Sequence, residues 1–185
     1  MIGILRRTLR NIRYTPQRFW HPVRHRRLLD RLAQGPRPRR VLFICHGNIC
    51  RSPYAAFAFA RRQNGKPPID IISRGFIGPD RPCPPAALEV AGARGIDMSR
   101  HRSALVSRDA VRSSDLIVVM DTKQRARLEI EHGVPRERVV LLGDLDPVPI
   151  DRRTIHDPVE QPPDVFAATY DRIDRCVRKL SEALS

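Results

Sequence analysis

No run of about eighteen apolar side chains occurs anywhere in the 185 residues, so no segment reads as a membrane span. Cysteine is sparse: four residues without the close, regular spacing that marks the disulfide scaffold of a small secreted domain. Acid is almost missing from the start of the chain. Residues 1–40 hold twelve arginines against Asp30 alone, a net +11, whereas the other 145 residues carry 22 basic and 19 acidic side chains, a net +3. That basic opening also lacks the continuous apolar centre and small-residue cleavage site of a secretory signal. The expected compartment is the reducing cytoplasm, with peripheral attachment to a membrane if the arm lies on lipid. One core of ordinary size fits this length.

The charge divides the chain into two expected parts, a basic arm over residues 1–38 and a balanced globular domain over 39–185. In the arm, Ile2, Leu5, Leu9 and Ile12 fall at helical spacing among Arg6, Arg7, Arg10 and Arg13. Phe19-Trp20 and the breakers Pro16 and Pro22 follow, and Gly35-Pro36-Arg37-Pro38 reads as a linker. Such a stretch suits an anionic membrane surface or an acidic partner, or it is a partly disordered arm whose charge keeps it solvated. Nucleic acid ranks last among its partners, because arginine alone offers only sequence-blind phosphate affinity.

Within the domain, strands are predicted at Arg40 to Ile44, Ile69 to Ser73, Asp115 to Met120 and Val139 to Leu142. Helices alternate with them, over about Pro53 to Gln63, Ala86 to Arg94, Thr122 to His132 and Pro162 to Leu184, with Gly95 and Gly133 as C-terminal stops. In the last helix Phe166, Tyr170, Ile173, Val177, Leu180 and Leu184 recur at intervals of three and four. The expected fold is a three-layer α/β sandwich around a four-stranded parallel sheet, with the ligand site beyond the strand C-termini.

The run Val41-Leu42-Phe43-Ile44 leads directly into Cys45-His46-Gly47-Asn48-Ile49-Cys50-Arg51-Ser52-Pro53 and then an alanine-rich helix. A helix start presents unpaired N–H groups and the positive end of its macrodipole, so it attracts an anion. The same field favours a thiolate at Cys45. Arg51 adds a planar fork that can grip two phosphate oxygens. Cysteine, five residues, arginine, serine is thus an oxyanion cradle over a nucleophile.

This loop resembles the signature loop of the low-molecular-weight protein tyrosine phosphatases. Ile72-Ser73-Arg74-Gly75, Gly95-Ile96-Asp97-Met98-Ser99 with His101-Arg102-Ser103, Asp115 to Asp121, and Asp157-Pro158 resemble further segments of that family, covering about residues 39–183. The resemblance implies phosphotyrosine hydrolysis through a cysteinyl-phosphate. Cys45 is then the nucleophile and Arg51 the phosphate clamp, with Asp157 as the general acid. His46, Gly47, Asn48, Ile49, Cys50, Arg51 and Ser52 form the phosphate-binding loop, Asn48 bracing it. Ser52 would donate to the Cys45 sulfur. Asp121 is expected to be structural. No metal or organic cofactor is implied, since Arg51 and the loop amides supply the positive charge.

Cys50 is either a small loop filler or a redox-protective thiol able to form a disulfide with Cys45. Zinc at Cys45, His46 and Cys50 would lack the spacing of a usual ligand pair. Tyr54, Ala56, Arg74 and Val159 depart from the family pattern; Val159 replaces an aromatic residue that lines the substrate slot, and Phe76 is the nearest substitute ring. Two other functions remain in view. Arsenate reduction on the same fold would need a cysteine relay, for which Cys83 and Cys176 are the remaining thiols. A non-catalytic phosphate-binding module would use the cradle without turnover.

Overall fold

Alternation along the first strand decides where everything else packs. The computed structural model describes residues 2–63, 65 and 67–185, with side chains from residue 17 onward. Strand β1 (Arg40–Cys45) points Val41, Phe43 and Cys45 to one face of the sheet and Leu42 and Ile44 to the other, as the two-residue period of a strand requires. It lies between β2 (Asp70–Gly75) and β3 (Leu116–Val119), and β4 (Val139–Leu141) completes the sheet in the order β2-β1-β3-β4, every pair parallel.

Helix α2 (Arg51–Arg61), α3 (Pro85–Gly92) and α6 (Pro163–Ala183) cover the Phe43 face. The Leu42 face is covered by α4 (Arg108–Arg112) and α5 (Thr122–His132), through Ala110, Val111 and Leu128. The expected three-layer sandwich is therefore the observed one. Cys45 is buried at the C-terminal end of the central β1, on the α2 side. Gly133 ends α5 at φ 62°, where a Cβ would be strained.

Three local differences have physical causes. Helix α2 starts two residues before Pro53 because the loop after Cys45 curls directly into it. Helix α4 is too short to show a period; its Ser107 cap, accepting from the Ala110 N–H, is its strongest signal. The third concerns the basic arm. Helix α1 (Ile2–Gln34) runs through Pro22, so the break expected there is absent. An internal proline costs a helix roughly 3 kcal/mol. Tertiary contacts offset it: Leu32 is buried, Leu28 and Leu29 pack on the core, and His21 and His25 reach the carbonyls of Asp146 (2.8 Å) and Asp144 (3.0 Å). The Ile2, Leu5, Leu9 and Ile12 stripe and Pro16 lie outside the described side chains.

Candidate active site

In the segment from Cys45 to Arg51 four carbonyls turn outward, and each of the four is held by a different part of the chain. The His46 carbonyl accepts from the Phe76 and Ile77 N–H groups (2.8 and 3.3 Å). Gly47 accepts from Arg81 Nη2 (2.9 Å), Asn48 from His101 Nε2 (2.8 Å) and Cys50 from the Tyr170 hydroxyl (3.3 Å). A trans peptide carries its N–H opposite its C=O. Outward carbonyls at 46, 47, 48 and 50 therefore aim the N–H groups of 47, 48, 49 and 51 inward, and the Asn48 N–H meets Cys45 Sγ at 3.2 Å. This is an anion nest built from backbone, at the mouth of α2.

Asn48 holds the turn in place. It sits in the left-handed region at φ 52°, which asparagine tolerates better than most residues. Its buried side chain donates to Ser52 Oγ (3.0 Å) and Ser73 Oγ (2.9 Å) and accepts from the Ala104 N–H (2.9 Å). Ser52 in turn donates to Cys45 Sγ at 3.1 Å. Two donors thus converge on one sulfur. Gly75 allows the loop this close to β2: a Cβ there would lie 2.8 Å from both the N and Cβ of Asn48.

Arg51 is almost fully buried beneath the mouth. Its Nη1 donates to the Ile155 carbonyl (3.1 Å), its Nη2 pairs with Asp157 Oδ2, and Nε has no hydrogen-bond partner. Asp157 reaches the site because its loop is tied at several points: the Ile155 N–H donates to the Met120 carbonyl (2.8 Å), and Arg172 donates to the Thr154 and Arg152 carbonyls (2.9 and 2.7 Å). A side chain 106 positions after Arg51 is so brought against it. Asp121 caps α5 through the Gln124 N–H (2.8 Å), and its other oxygen lies 4.0 Å from Arg51.

The pocket above these residues encloses about 420 Å³. Lys123 and Arg127 give it a cationic rim beside the His46 and His156 rings, and Phe76 a ring wall with the Arg127 guanidinium 4.3 Å from its centroid. Val159 is not among the lining residues.

Cys50 and Cys83 are buried in the same core as Cys45. Burial first, and then the electrostatic influence of the neighbouring Cys45, pushes the Cys50 thiol far above its ordinary range and Cys83 up to about 12. Both are held as thiols. Cys176 is buried in α6 and likewise driven upward by burial. Among the described residues, no three His, Cys, Asp or Glu side chains gather as metal ligands would.

Arg81 and Tyr170 were not legible as loop supports. Arg81 lies within the proline-rich loop 78–85 with no motif around it, and Tyr170 reads from periodicity as one more apolar helix position. Stacking on Tyr54, at 3.7 Å between ring centroids, is what fixes the Tyr170 hydroxyl.

A sequence model of the low molecular weight phosphotyrosine protein phosphatases matches residues 40–185. A probable low molecular weight protein-tyrosine-phosphatase of Ralstonia nicotianae, EpsP, is 33% identical over 141 residues, which is 75% of this chain and 91% of the relative. Low molecular weight protein-tyrosine-phosphatase Wzb of Salmonella typhi is 31% identical over 149 residues, 79% of this chain and 94% of its own. Among solved structures, the tyrosine phosphatase AmsI of Erwinia amylovora superimposes with a TM-score of 0.73 at 28% identity, over 82% of this chain and 97% of that one. The family match begins at β1, so α1 lies outside it.

Proposed function

The chain belongs to the low molecular weight protein-tyrosine-phosphatase family, and from that premise we propose that it hydrolyses phosphotyrosine in proteins through a cysteinyl-phosphate on Cys45. The observation that carries the reading is the convergence of the Asn48 N–H and the Ser52 hydroxyl on Cys45 Sγ, at the floor of a nest of inward N–H groups. Hydrogen bonds to an ionised sulfur stabilise it and are the stronger for its charge.

In this reading the Cys45 thiolate attacks phosphorus as the bond to the phenolic oxygen breaks. The N–H groups of the 46–51 loop and the Arg51 fork hold the three equatorial oxygens as charge spreads over them. Asp157 gives its proton to the departing oxygen. It then takes one from the attacking water, whose oxygen displaces sulfur and releases phosphate and the thiolate. The phosphate takes over the Arg51 contacts that Asp157 makes without it. Phe76 supplies the ring surface that Val159 does not. Cys50, a thiol beside Cys45, is the candidate for a protective disulfide after oxidation. The basic segment adds an anionic docking partner, a membrane surface at its cytoplasmic face or an acidic protein.

The test is hydrolysis of p-nitrophenyl phosphate and of phosphotyrosine against phosphoserine peptides, without added metal, by wild type, Cys45→Ser and Asp157→Asn. Cys45→Ser should be inactive. Asp157→Asn should lose about 10²-fold on the poorer phenolic leaving group and less on p-nitrophenolate, as expected for removal of a general acid. Full activity of Cys45→Ser would refute the chemistry, and an unaffected Asp157→Asn would move the acid elsewhere.

A further inference from the structure

Away from the catalytic mouth, a cleft of about 640 Å³ opens between α1 and the β4 edge. Six guanidinium groups face it: Arg24, Arg27 and Arg31 from α1, Arg125 from α5, Arg136 and Arg153. The acids nearby do not balance them. Asp144 has both oxygens engaged by Arg153 (2.8 and 2.5 Å) and lies 3.9 Å from Arg24. Glu129 is shared between Arg136 (3.0 Å) and Arg125 (3.6 Å). Glu137, exposed, is the third.

Arg27 and Arg31 form no ion pair among the described residues. Arg24 Nε is buried without a hydrogen-bond partner. Burial lowers the pKa of Arg24, Arg31 and Arg125, and for Arg125 the neighbouring Arg153 and Arg136 lower it further. Arg27 and Arg31, the two without ion pairs, are exposed, so the positive excess is open to an anion from solution whose oxygens a planar guanidinium can grip in pairs. The cleft has the chemistry of a phosphate receptor.

The surface beside it identifies the phosphate's source. Trp20, Arg24, Arg27 and Arg31 are spaced four, three and four residues apart, so they share one face of α1 with Trp20 a turn above Arg24. Trp20 is 55% exposed, and Phe19 (71%) and Val23 (40%) flank it. The two rings meet edge to face at 5.4 Å but bury little against the body. A free phosphate has no use for exposed aromatics. A bilayer surface matches both halves at once, headgroup phosphate for the guanidinium groups and the glycerol–acyl boundary for the rings.

We infer that the arginine cleft and the adjoining Phe19–Trp20–Val23 patch form a docking site for an anionic phospholipid bilayer. This rests on the docking half of the function proposed above and not on its catalytic half. The single tryptophan of the chain lies on the proposed contact, so its fluorescence reports directly.

The 185-residue chain is titrated with vesicles of phosphatidylcholine, with and without phosphatidylglycerol, while Trp20 emission and co-sedimentation are followed. Anionic vesicles should shift the emission to the blue and sediment the protein, and added salt should reverse both. An arginine at an anionic surface is worth roughly fivefold in binding. The Arg27→Ala/Arg31→Ala double variant should therefore bind about thirtyfold more weakly while hydrolysing p-nitrophenyl phosphate at the wild-type rate. Phe19→Ala should weaken vesicle binding and leave hydrolysis untouched. Equal response to neutral vesicles, or a double variant within twofold of wild type, would overturn the inference. So would a Trp20 response to polyglutamate or inorganic phosphate but not to vesicles; with polyglutamate, docking to an acidic protein survives and the bilayer does not. Phosphatase activity is read separately in every arm.

Discussion

Replacing Asn48 by alanine tests the claim that one side chain organises the loop. Asn48 is fully buried, lies at φ 52° and makes three side-chain hydrogen bonds. Alanine would leave the Ala104 N–H and the Ser73 hydroxyl without this partner, at about 1–3 kcal/mol for each group left unpaired. Holding alanine in the left-handed region adds about 1 kcal/mol. With some relaxation the sum is about 4 kcal/mol, a large share of a typical domain's stability of about 5–15 kcal/mol. For a chain of this size that lowers the melting temperature by about 8–16 °C.

Activity should fall as well, because the same Nδ2 that reaches Ser73 also positions Ser52, whose hydroxyl meets Cys45 Sγ. A loss of about 10²-fold in kcat on p-nitrophenyl phosphate is the scale for a displaced oxyanion donor. Asn48→Gly separates the two contributions. Glycine relieves the backbone penalty and leaves the lost hydrogen bonds, so it should recover about 1 kcal/mol over alanine and almost none of the activity. Urea denaturation gives the stabilities and steady-state kinetics the rates. An Asn48→Ala protein within about 1 kcal/mol of wild type and with unchanged kcat would refute the reasoning.

Two further outcomes follow from the same geometry. Gly75→Ala puts a Cβ 2.8 Å from Asn48 backbone, so the loop must shift; kcat/KM should drop at least about tenfold, with phosphate protecting the variant poorly against heat. The His21 ring, whose Nε2 donates to the Asp146 carbonyl, has its pKa lowered from 6.5, first by burial. Its neutral form is the folded form. The contribution is present above about pH 6.5 and is lost as pH falls through the folded value, because the unfolded chain takes up a proton that the native one resists. Urea midpoints measured above and below that window should diverge in wild type and converge in His21→Gln; unchanged divergence would point instead to His101, also lowered chiefly by burial.

Much of this was readable from the chain. Buried strands announce themselves by apolar runs such as Leu116–Val119, and the parallel order follows from helices between them. The loop could be read as a unit because its residues are local: Cys45, Arg51 and Ser52, the proposed nucleophile, clamp and hydroxyl donor, lie within eight residues. What the sequence withheld is whatever depends on contact at a distance. The donors on the Gly47 and Cys50 carbonyls come from Arg81 and from Tyr170, and no spacing relates either to the loop. The proline at position 22 reads as a break because local propensity disfavours it inside a helix; packing of Leu28, Leu29 and Leu32 overrides that preference.

The outward carbonyls of the proposed phosphate loop bear on how this enzyme fails. Their donors come from four separate stretches of chain, around residues 76, 81, 101 and 170. Fraying of any one stretch frees a carbonyl and lets a peptide plane rotate, which turns an N–H away from the anion it should meet. Catalysis is then lost at a perturbation too small to register in helix content. Turnover becomes the earliest gauge of damage by heat, denaturant or substitution, and a preparation can look fully folded by circular dichroism while much of it is idle.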